Sequence, residues 1–206
     1  MEKKLLIDTM TFEPIPEVLN ESINDTTGRK PFIVKGILQR AESKNQNGRI
    51  YPYQTLFREA KHYMDTCVKE RRAVGECDHP NSEVVNLKNA SHNIIDMHWE
   101  GNDLLGTIEI LSTPSGNILR ELFKSNIRVG ISSRSMGSLK KISEGVDMVN
   151  DDLTIVCWDF CSTPSVQGAF VYPDQQTLSE GLIYNKITNK WENVENIIRD
   201  IFEEIS

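Results

Sequence analysis

The sequence has neither a long cluster of cations nor a long apolar run. Its densest basic stretch is Lys69–Arg72, which already contains a glutamate, and the net charge of the 206 residues is −7. Phosphate backbones are bound by clustered lysine and arginine, so we expect no nucleic-acid partner. No window is long and apolar enough to predict a membrane-spanning helix, so we expect no membrane association.

Cysteine is also scarce, with four residues, and no secretion signal accompanies it. The apolar run Leu5–Ile7 ends at Asp8, which makes it too short for the core of a signal peptide. Cysteines in such a chain are typical of free thiols in a reducing compartment. The sequence therefore predicts a cytoplasmic setting, without disulfides.

Short apolar segments of strand and helix periodicity fill the middle of the chain. They predict an α+β protein that is mainly β, with an antiparallel core and flanking helices. Composition becomes polar and irregular at both ends, so we divide the chain into a leader (1–30), a domain (31–173) and a tail (174–206). The predicted strands are Pro31–Glu42, Ala73–Pro80, Ala90–Trp99, Leu104–Leu111, Leu139–Ile142, Leu153–Phe160 and Ala169–Tyr172. The predicted helices are Tyr53–Arg72, Ser115–Lys124 and, in the tail, Trp191–Ile205.

One stretch does not fit an ordinary strand. Arg128–Ser138 contains four serines and two glycines beside the apolar residues Val129 and Ile131. Small hydroxyl residues contribute little to a strand unless the backbone or a side chain must approach something closely. This stretch is therefore the first candidate for a functional site.

Two further stretches supply the partners that a reactive serine needs. Gly75–Pro80 places His79 just before a proline, and Ile155–Cys161 places Asp159 inside an apolar strand. A serine hydroxyl becomes a nucleophile when an imidazole takes its proton and a carboxylate orients that imidazole. Ser132 or Ser133, His79 and Asp159 are the candidates for such a triad. Their chain order is unusual and no G-x-S-x-G motif is present, but a triad is defined by geometry.

Spacing alone leaves other interpretations open. His79 is also consistent with a loop histidine, the serine run with a polar turn or a solvent-facing strand, and Asp159 with an outward residue on an edge strand. His92, Asp96 and His98 have even spacing, which predicts one shared, solvent-facing side of a strand.

Two pairs of residues have the ligand types of a zinc site. Cys77-x-His79 and Cys157-x3-Cys161 lack the usual ligand spacing. We therefore expect neither a metal nor a cofactor.

Five segments together resemble a known family. The segments are G-I-L-Q-R-A-E (Gly36–Glu42), N-G-R-I-Y-P (Asn47–Pro52), A-V-G-E-C-D-H-P (Ala73–Pro80), D-M-H-W-E-G-N-D (Asp96–Asp103) and V-G-I-S-S-R-S-M-G-S (Val129–Ser138). They resemble the phage prohead, or head-maturation, protease family, closest to its T-even-type branch. The family is similar in fold to the herpesvirus assemblins, so the resemblance implies a β-barrel-like core wrapped by helices.

The resemblance also implies a role for each candidate. His79 matches the general base, Ser132 the nucleophile and Asp159 the acidic third member. Ser133 is the reserve nucleophile.

Asp78 and Asp96 compete with Asp159 for the third position. The oxyanion hole is expected from backbone N–H groups, for which Gly168 offers a close approach. The pocket for a substrate carboxylate is expected to use arginine or lysine, and Arg134 is near in sequence.

The resemblance further implies cleavage after glutamate in the pattern Leu/Ile-x-Glu. Matches in the leader and tail suggest a zymogen that trims itself, while the two matches inside the domain should be protected by folding. The terminal matches are Ile15–Glu17, Leu19–Glu21, Leu178–Glu180 and Ile201–Glu203; the internal ones are Leu119–Glu121 and Ile142–Glu144. We expect phage scaffold and capsid proteins as substrates, a homo-oligomer, and action in the host cytoplasm inside the assembling prohead.

Three rival functions make different predictions. A catalytically silent scaffold or capsid-assembly protein of the same fold would be indifferent to replacement of Ser132. An esterase using the same triad would ignore the Leu/Ile-x-Glu pattern. A zinc-binding module would contain metal.

Overall fold

Strands dominate the protein. The computed structural model describes residues 3–10, 31–78, 80–125, 127, 129–162 and 170–173, without the side chains of residues 9, 10 and 170–173. The strands are β1 (Lys4–Met10), β2 (Phe32–Arg40), β3 (Arg49–Ile50), β4 (Val74–Glu76), β5 (Ala90–Glu100), β6 (Asp103–Ile110), β7 (Val129–Gly137), β8 (Leu139–Ser143), β9 (Val146–Val149), β10 (Thr154–Cys161) and β11 (Phe170–Pro173). The helices are α1 (Tyr53–Tyr63), which continues into a π-helical turn (Met64–Val68), and α2 (Pro114–Lys124); a 3₁₀ turn covers Leu87–Asn89.

The main sheet has eight strands. Its order is β1-β7-β11-β2-β6-β5-β4, and β10 pairs with β7 outside that path. The last strand, β4, approaches β10 through one isolated bridge between Cys77 and Phe160. The predicted mainly β fold with helices is therefore observed. The predicted barrel is not, because a single bridge does not close the sheet into a continuous ladder in the described part of the chain.

The serine-rich stretch forms β7, which lies between partners rather than at an edge. It pairs antiparallel with β1 over Ile131–Gly137 and with β10 over Gly130–Met136, and its first two residues pair with β11. Eight of its nine residues are buried, all except Met136. β7 therefore has a strand on each side, and its small hydroxyl side chains are buried together with Ile131 and Arg134.

Strand β1 lies inside the expected leader, where the sequence pattern predicts no strand. Its buried Asp8 accepts hydrogen bonds from Asn47 Nδ2 (2.7 Å), Arg49 Nη1 (3.0 Å) and the Tyr51 hydroxyl. These contacts fasten β1 to the segment around β3, so at least residues 4–10 belong to the folded core. The borders at residues 30 and 173 and the tail helix stay predictions, because residues 11–30 and 174–206 lie outside the described part.

The two helices are explained by local signals. α1 buries Leu56, Ala60 and Tyr63 on one face, as their spacing predicts. α2 begins at Pro114, and the Thr113 hydroxyl accepts a hydrogen bond from the N–H of Gly116 (3.1 Å), a standard N-terminal cap. Among the described residues, no helix combines the length and apolarity that crossing a bilayer requires.

The small sheet corrects one expectation. It has the order β3-β9-β8, and β8 and β9 form a hairpin. The segment Ile142–Glu144, expected to be protected in the core, lies exposed at the end of β8, and Ile142 is 51% exposed. The backbone pairing of the hairpin, rather than burial, is what restrains this segment.

The prediction that His92 and His98 share a solvent-facing side is wrong. A bulge between Ile94 and Asp96 shifts the register of β5 against β6, and alternation restarts beyond it. His92 is fully buried, with Nε2 3.0 Å from the carbonyl oxygen of Trp158 and Nδ1 2.8 Å from the Ser91 hydroxyl. The His98 side chain is 52% exposed.

Buried His92 is expected to make stability depend on pH. Burial lowers its pKa to about 3, from the ordinary value of 6.5. The native pKa of His92 lies below its unfolded value. The contribution of this residue to the free energy of unfolding is therefore fully present above pH 6.5, and it falls by about 1.4 kcal/mol per pH unit as the pH drops toward 3. His92→Gln should flatten this slope in urea unfolding measured across that range. The exposed His98→Gln is the control, and equal slopes for parent and His92→Gln would contradict the prediction.

Candidate functional site

The two faces of β7 hold different chemistry. Ser132 lies directly opposite Asp159 of β10, so their side chains project from the same face. Ser133 belongs to the other face, where its hydroxyl donates to the backbone oxygen of Asp8 in β1 (3.0 Å). Thus the structure brings Ser132, not Ser133, together with Asp159.

Asp159 is fully buried, contrary to the alternative of an outward residue on an edge strand. Its Oδ1 accepts hydrogen bonds from the backbone N–H of Glu76 (2.9 Å), from Arg134 Nη2 (3.3 Å) and from the Cys157 thiol (3.3 Å). Burial raises the pKa of the Asp159 carboxyl, while the Glu76 N–H and the Arg134 charge oppose that rise. A buried carboxylate is costly unless it is paired, and these contacts supply the pairing.

One oxygen of Asp159 keeps hydrogen-bonding capacity. Oδ2 lies 3.0 Å from Nε of Arg134, but that N–H is directed at the Cys157 sulfur, 3.2 Å away. Among the described residues, Oδ2 has no aligned hydrogen-bond donor. A buried acceptor of this kind suits an N–H from a neighbouring group, such as an imidazole.

Arg134 does not point into solvent. Its side chain is fully buried, and Nη2 lies 2.9 Å from Oε1 of Glu76 in a second buried ion pair. With Glu76 and Asp159 both beside it, the guanidinium is not arranged to receive a substrate carboxylate, so the structure does not support the suggested pocket role of Arg134. Sequence analysis missed Glu76 as part of the site; the only signal was its position in the G-E-C-D-H-P segment.

His79 and Gly168 lie outside the described residues. The chain just before His79 is held to β10, because the N–H of Asp78 donates to the oxygen of Phe160 (2.7 Å). Asp78 itself is exposed and has a positive φ of 58°. Asp96 is exposed too, and its carboxylate lies 3.7 Å from the ring of His98. Neither competing carboxylate is buried beside Ser132.

The cysteines do not suggest a metal site. The described part of the chain contains no group of three or more His, Cys, Asp or Glu side chains placed to hold an ion. All four cysteines are free thiols, and burial raises the pKa of Cys157, so that thiol stays protonated beside Asp159.

Comparison with known proteins identifies the class of enzyme to which this chain belongs. The family described as prohead core protein serine protease matches residues 8–181. The chain therefore belongs to the prohead core protein serine proteases, which makes it a serine protease of phage capsid maturation.

A curated protein and a solved structure from phage T4 support this membership. The prohead core protein protease of Enterobacteria phage T4 is 31% identical over 189 residues, covering 87% of this chain and 88% of that protein. The solved structure of the bacteriophage T4 capsid assembly protease, gp21, superposes with a TM-score of 0.70 at 31% identity, covering 78% of this chain and 99% of the solved one. As a member of this family, the chain acts on prohead proteins within the assembling prohead.

Proposed function

We propose that this protease is a His-Ser-Asp endopeptidase in which His79, Ser132 and Asp159 form the catalytic triad. The observation that carries the proposal is the cross-strand pair of Ser132 and buried Asp159. The unaligned Oδ2 of Asp159 supports it, because a triad carboxylate must accept an N–H from the base. The exposure of Asp78 and Asp96 makes them weaker candidates for this role.

The mechanism follows from these roles. His79 takes the proton of the Ser132 hydroxyl while the Ser132 oxygen attacks the substrate carbonyl carbon. Backbone N–H groups stabilise the resulting oxyanion. The peptide C–N bond breaks as His79 returns the proton to the leaving amine. Water, activated by His79, then hydrolyses the acyl-enzyme. Asp159 orients His79 and stabilises its cation throughout.

We further propose cleavage after glutamate in Leu/Ile-x-Glu, on scaffold and capsid proteins and on the protease itself. Four matches to this pattern lie in the terminal stretches, where cleavage would follow Glu17, Glu21, Glu180 and Glu203. Self-trimming predicts new termini at these positions in aged full-length protein, and intact masses in a Ser132→Ala preparation. A homo-oligomer is part of the same proposal, since proteases activated by assembly need partners.

The test is a peptide cleavage assay with matched substrates and variants. The full chain, and a version ending at Glu180, should cleave a Leu-x-Glu peptide much faster than its Leu-x-Gln counterpart. Ser132→Ala should lower kcat/KM by at least about 10⁴-fold, because the nucleophile is lost. Ser133→Ala should keep kcat/KM within about tenfold of the parent value, because the Ser133 hydroxyl donates a hydrogen bond to the backbone of β1.

Other outcomes would redirect the assignment. Loss of cleavage with Ser133→Ala alone would move the nucleophile to Ser133. Equal cleavage of both peptides would remove the glutamate rule and favour a less specific hydrolase. Cleavage by neither chain length, alone or at concentrations that drive self-association, would favour a silent assembly protein.

A further inference from the structure

A buried cluster of three charges lies next to the proposed triad. Arg134 of β7 is ion-paired with Glu76 of β4 (2.9 Å) and with Asp159 of β10 (3.0 Å), and all three side chains are fully buried. Breaking such a pair from one side is costly, because it leaves an uncompensated charge in the interior. A serine protease triad requires only the aspartate, so the arginine and glutamate call for a separate explanation.

The cluster is also connected to the chain on both sides of His79. On the earlier side, the N–H of Glu76 donates to Oδ1 of Asp159 (2.9 Å). On the later side, Arg134 Nη1 donates to the backbone oxygen of Ser82 (3.0 Å), and Glu76 Oε1 accepts the N–H of Asn86 (3.0 Å). The strand that leads into His79 and the loop that follows it are thus both fastened to this cluster of three side chains.

We propose that Arg134 is a positioning residue of the protease, which fixes Asp159 and the loop after His79 in one geometry. The inference rests on the proposed triad and extends it. The planar guanidinium donates through Nη2 to both Glu76 (2.9 Å) and Asp159 (3.3 Å), and through Nη1 to the backbone oxygen of Ser82 (3.0 Å). A lysine ammonium keeps the charge but cannot present a rigid fork to three acceptors.

The charge of the cluster suits the reaction. With both carboxylates ionised, Glu76, Asp159 and Arg134 carry a formal net charge of −1, which favours a cation beside Asp159. The imidazolium that forms when His79 takes the serine proton is such a cation. In the described part of the chain, the charged or titratable groups that face Asp159 are Arg134 from β7, Glu76 from β4, Cys157 from its own strand and Tyr63 from α1.

Charge changes in the cluster should move the acid limb of the pH profile in opposite directions. The His79–Asp159 pair is active only after it has lost one proton. Removing a nearby cation makes this proton harder to lose and so raises the pKa of the pair. Arg134→Met should therefore move the acid limb of kcat/KM to higher pH by roughly one unit. Glu76→Gln removes an anion and should move the limb to lower pH.

The experiment measures kcat, KM and the pH profile of full-length variants on the Leu-x-Glu peptide. Arg134→Met is expected to lower kcat about 10²-fold with little change in KM, because misplaced groups slow the chemical step. Arg134→Lys should keep the parent acid limb but still lower kcat. The matched control is Arg49→Met, which also takes an arginine from a buried carboxylate, that of Asp8, and should lose stability with an unchanged limb.

The results separate a positioning role from a structural one. The proposal would be overturned if Arg134→Lys and Glu76→Gln both kept the kcat and the acid limb of the parent and showed only lower unfolding temperatures. This test holds even if Arg134→Met fails to fold. Loss of activity in Ser132→Ala without any shift in the cluster variants would overturn the role of Arg134 and leave the triad intact. Full activity of Ser132→Ala would overturn both.

Discussion

Asparagine in place of Asp159 is expected to lower kcat/KM for the Leu-x-Glu peptide by about 10⁴-fold. The side chain keeps its shape, and its oxygen can still accept the N–H of Glu76. However, the amide is neutral and presents N–H donors where the carboxylate accepts, so it neither stabilises the His79 cation nor holds the required tautomer. The effect should appear mainly in kcat, because Asp159 is fully buried and its proposed role is to orient His79 rather than to bind the substrate.

Two matched substitutions control for this result. Asp78→Asn and Asp96→Asn make the same chemical change at exposed positions, and activity should stay within about threefold of the parent. Urea unfolding of all three variants distinguishes lost chemistry from lost structure. A large loss in Asp78→Asn with an active Asp159→Asn would assign the third triad position to Asp78.

Alanine at Gly75 is expected to lower the free energy of unfolding by about 3 kcal/mol. A Cβ there would lie 2.0 Å from the carbonyl oxygen of Trp158 and 2.4 Å from ring atoms of His92. The carbonyl is backbone of β10, so the overlap is relieved only by moving β4 away from that strand. Because β4 carries Glu76 and leads directly into His79, we expect activity to fall together with stability.

Gly106→Ala is the matched control for that substitution. It also adds a methyl group to a strand glycine, but its close contacts, from 2.7 Å, are atoms of the Leu38 side chain, which can change rotamer. The expected cost is about 1 kcal/mol, without a selective loss of activity. Equal unfolding midpoints for the two variants would contradict the close packing of β4 against β10.

The local spacing of apolar, proline and turn residues was enough to predict the helices α1 and α2 and the hairpin of neighbouring strands. The spacing of Leu56, Ala60 and Tyr63 predicted α1, and Pro114 predicted the start of α2 closely. The β5–β6 hairpin followed from two strand-like runs around a short polar turn. In each case the sequence within one element, or within two neighbours, carries the whole signal, so no distant contact is needed to recognise it.

The motif segments gave more information about function than the hydrophobic periodicity did. Read together, they resembled the prohead protease family, and the comparison of the whole chain confirms that membership. The roles of His79, Ser132 and Asp159 also came from matching residues to that family, and they stay predictions. The spacing of these residues along the chain contains no information about their distance in space, because a triad joins segments that the fold brings together.

Tertiary structure decided the remaining features, each through a contact that no local pattern shows. Strand β1 is stabilised by pairing with β7, and the Ser133–Asp8 hydrogen bond joins residues 125 positions apart. The bulge in β5 buries one histidine and exposes another that even spacing placed on the same face. The position of Arg134 between Glu76 and Asp159 likewise depends on three strands meeting. The sequence by itself thus determined α1, α2, most of the described strands and the family, while long-range strand pairing decided which polar residues are buried together.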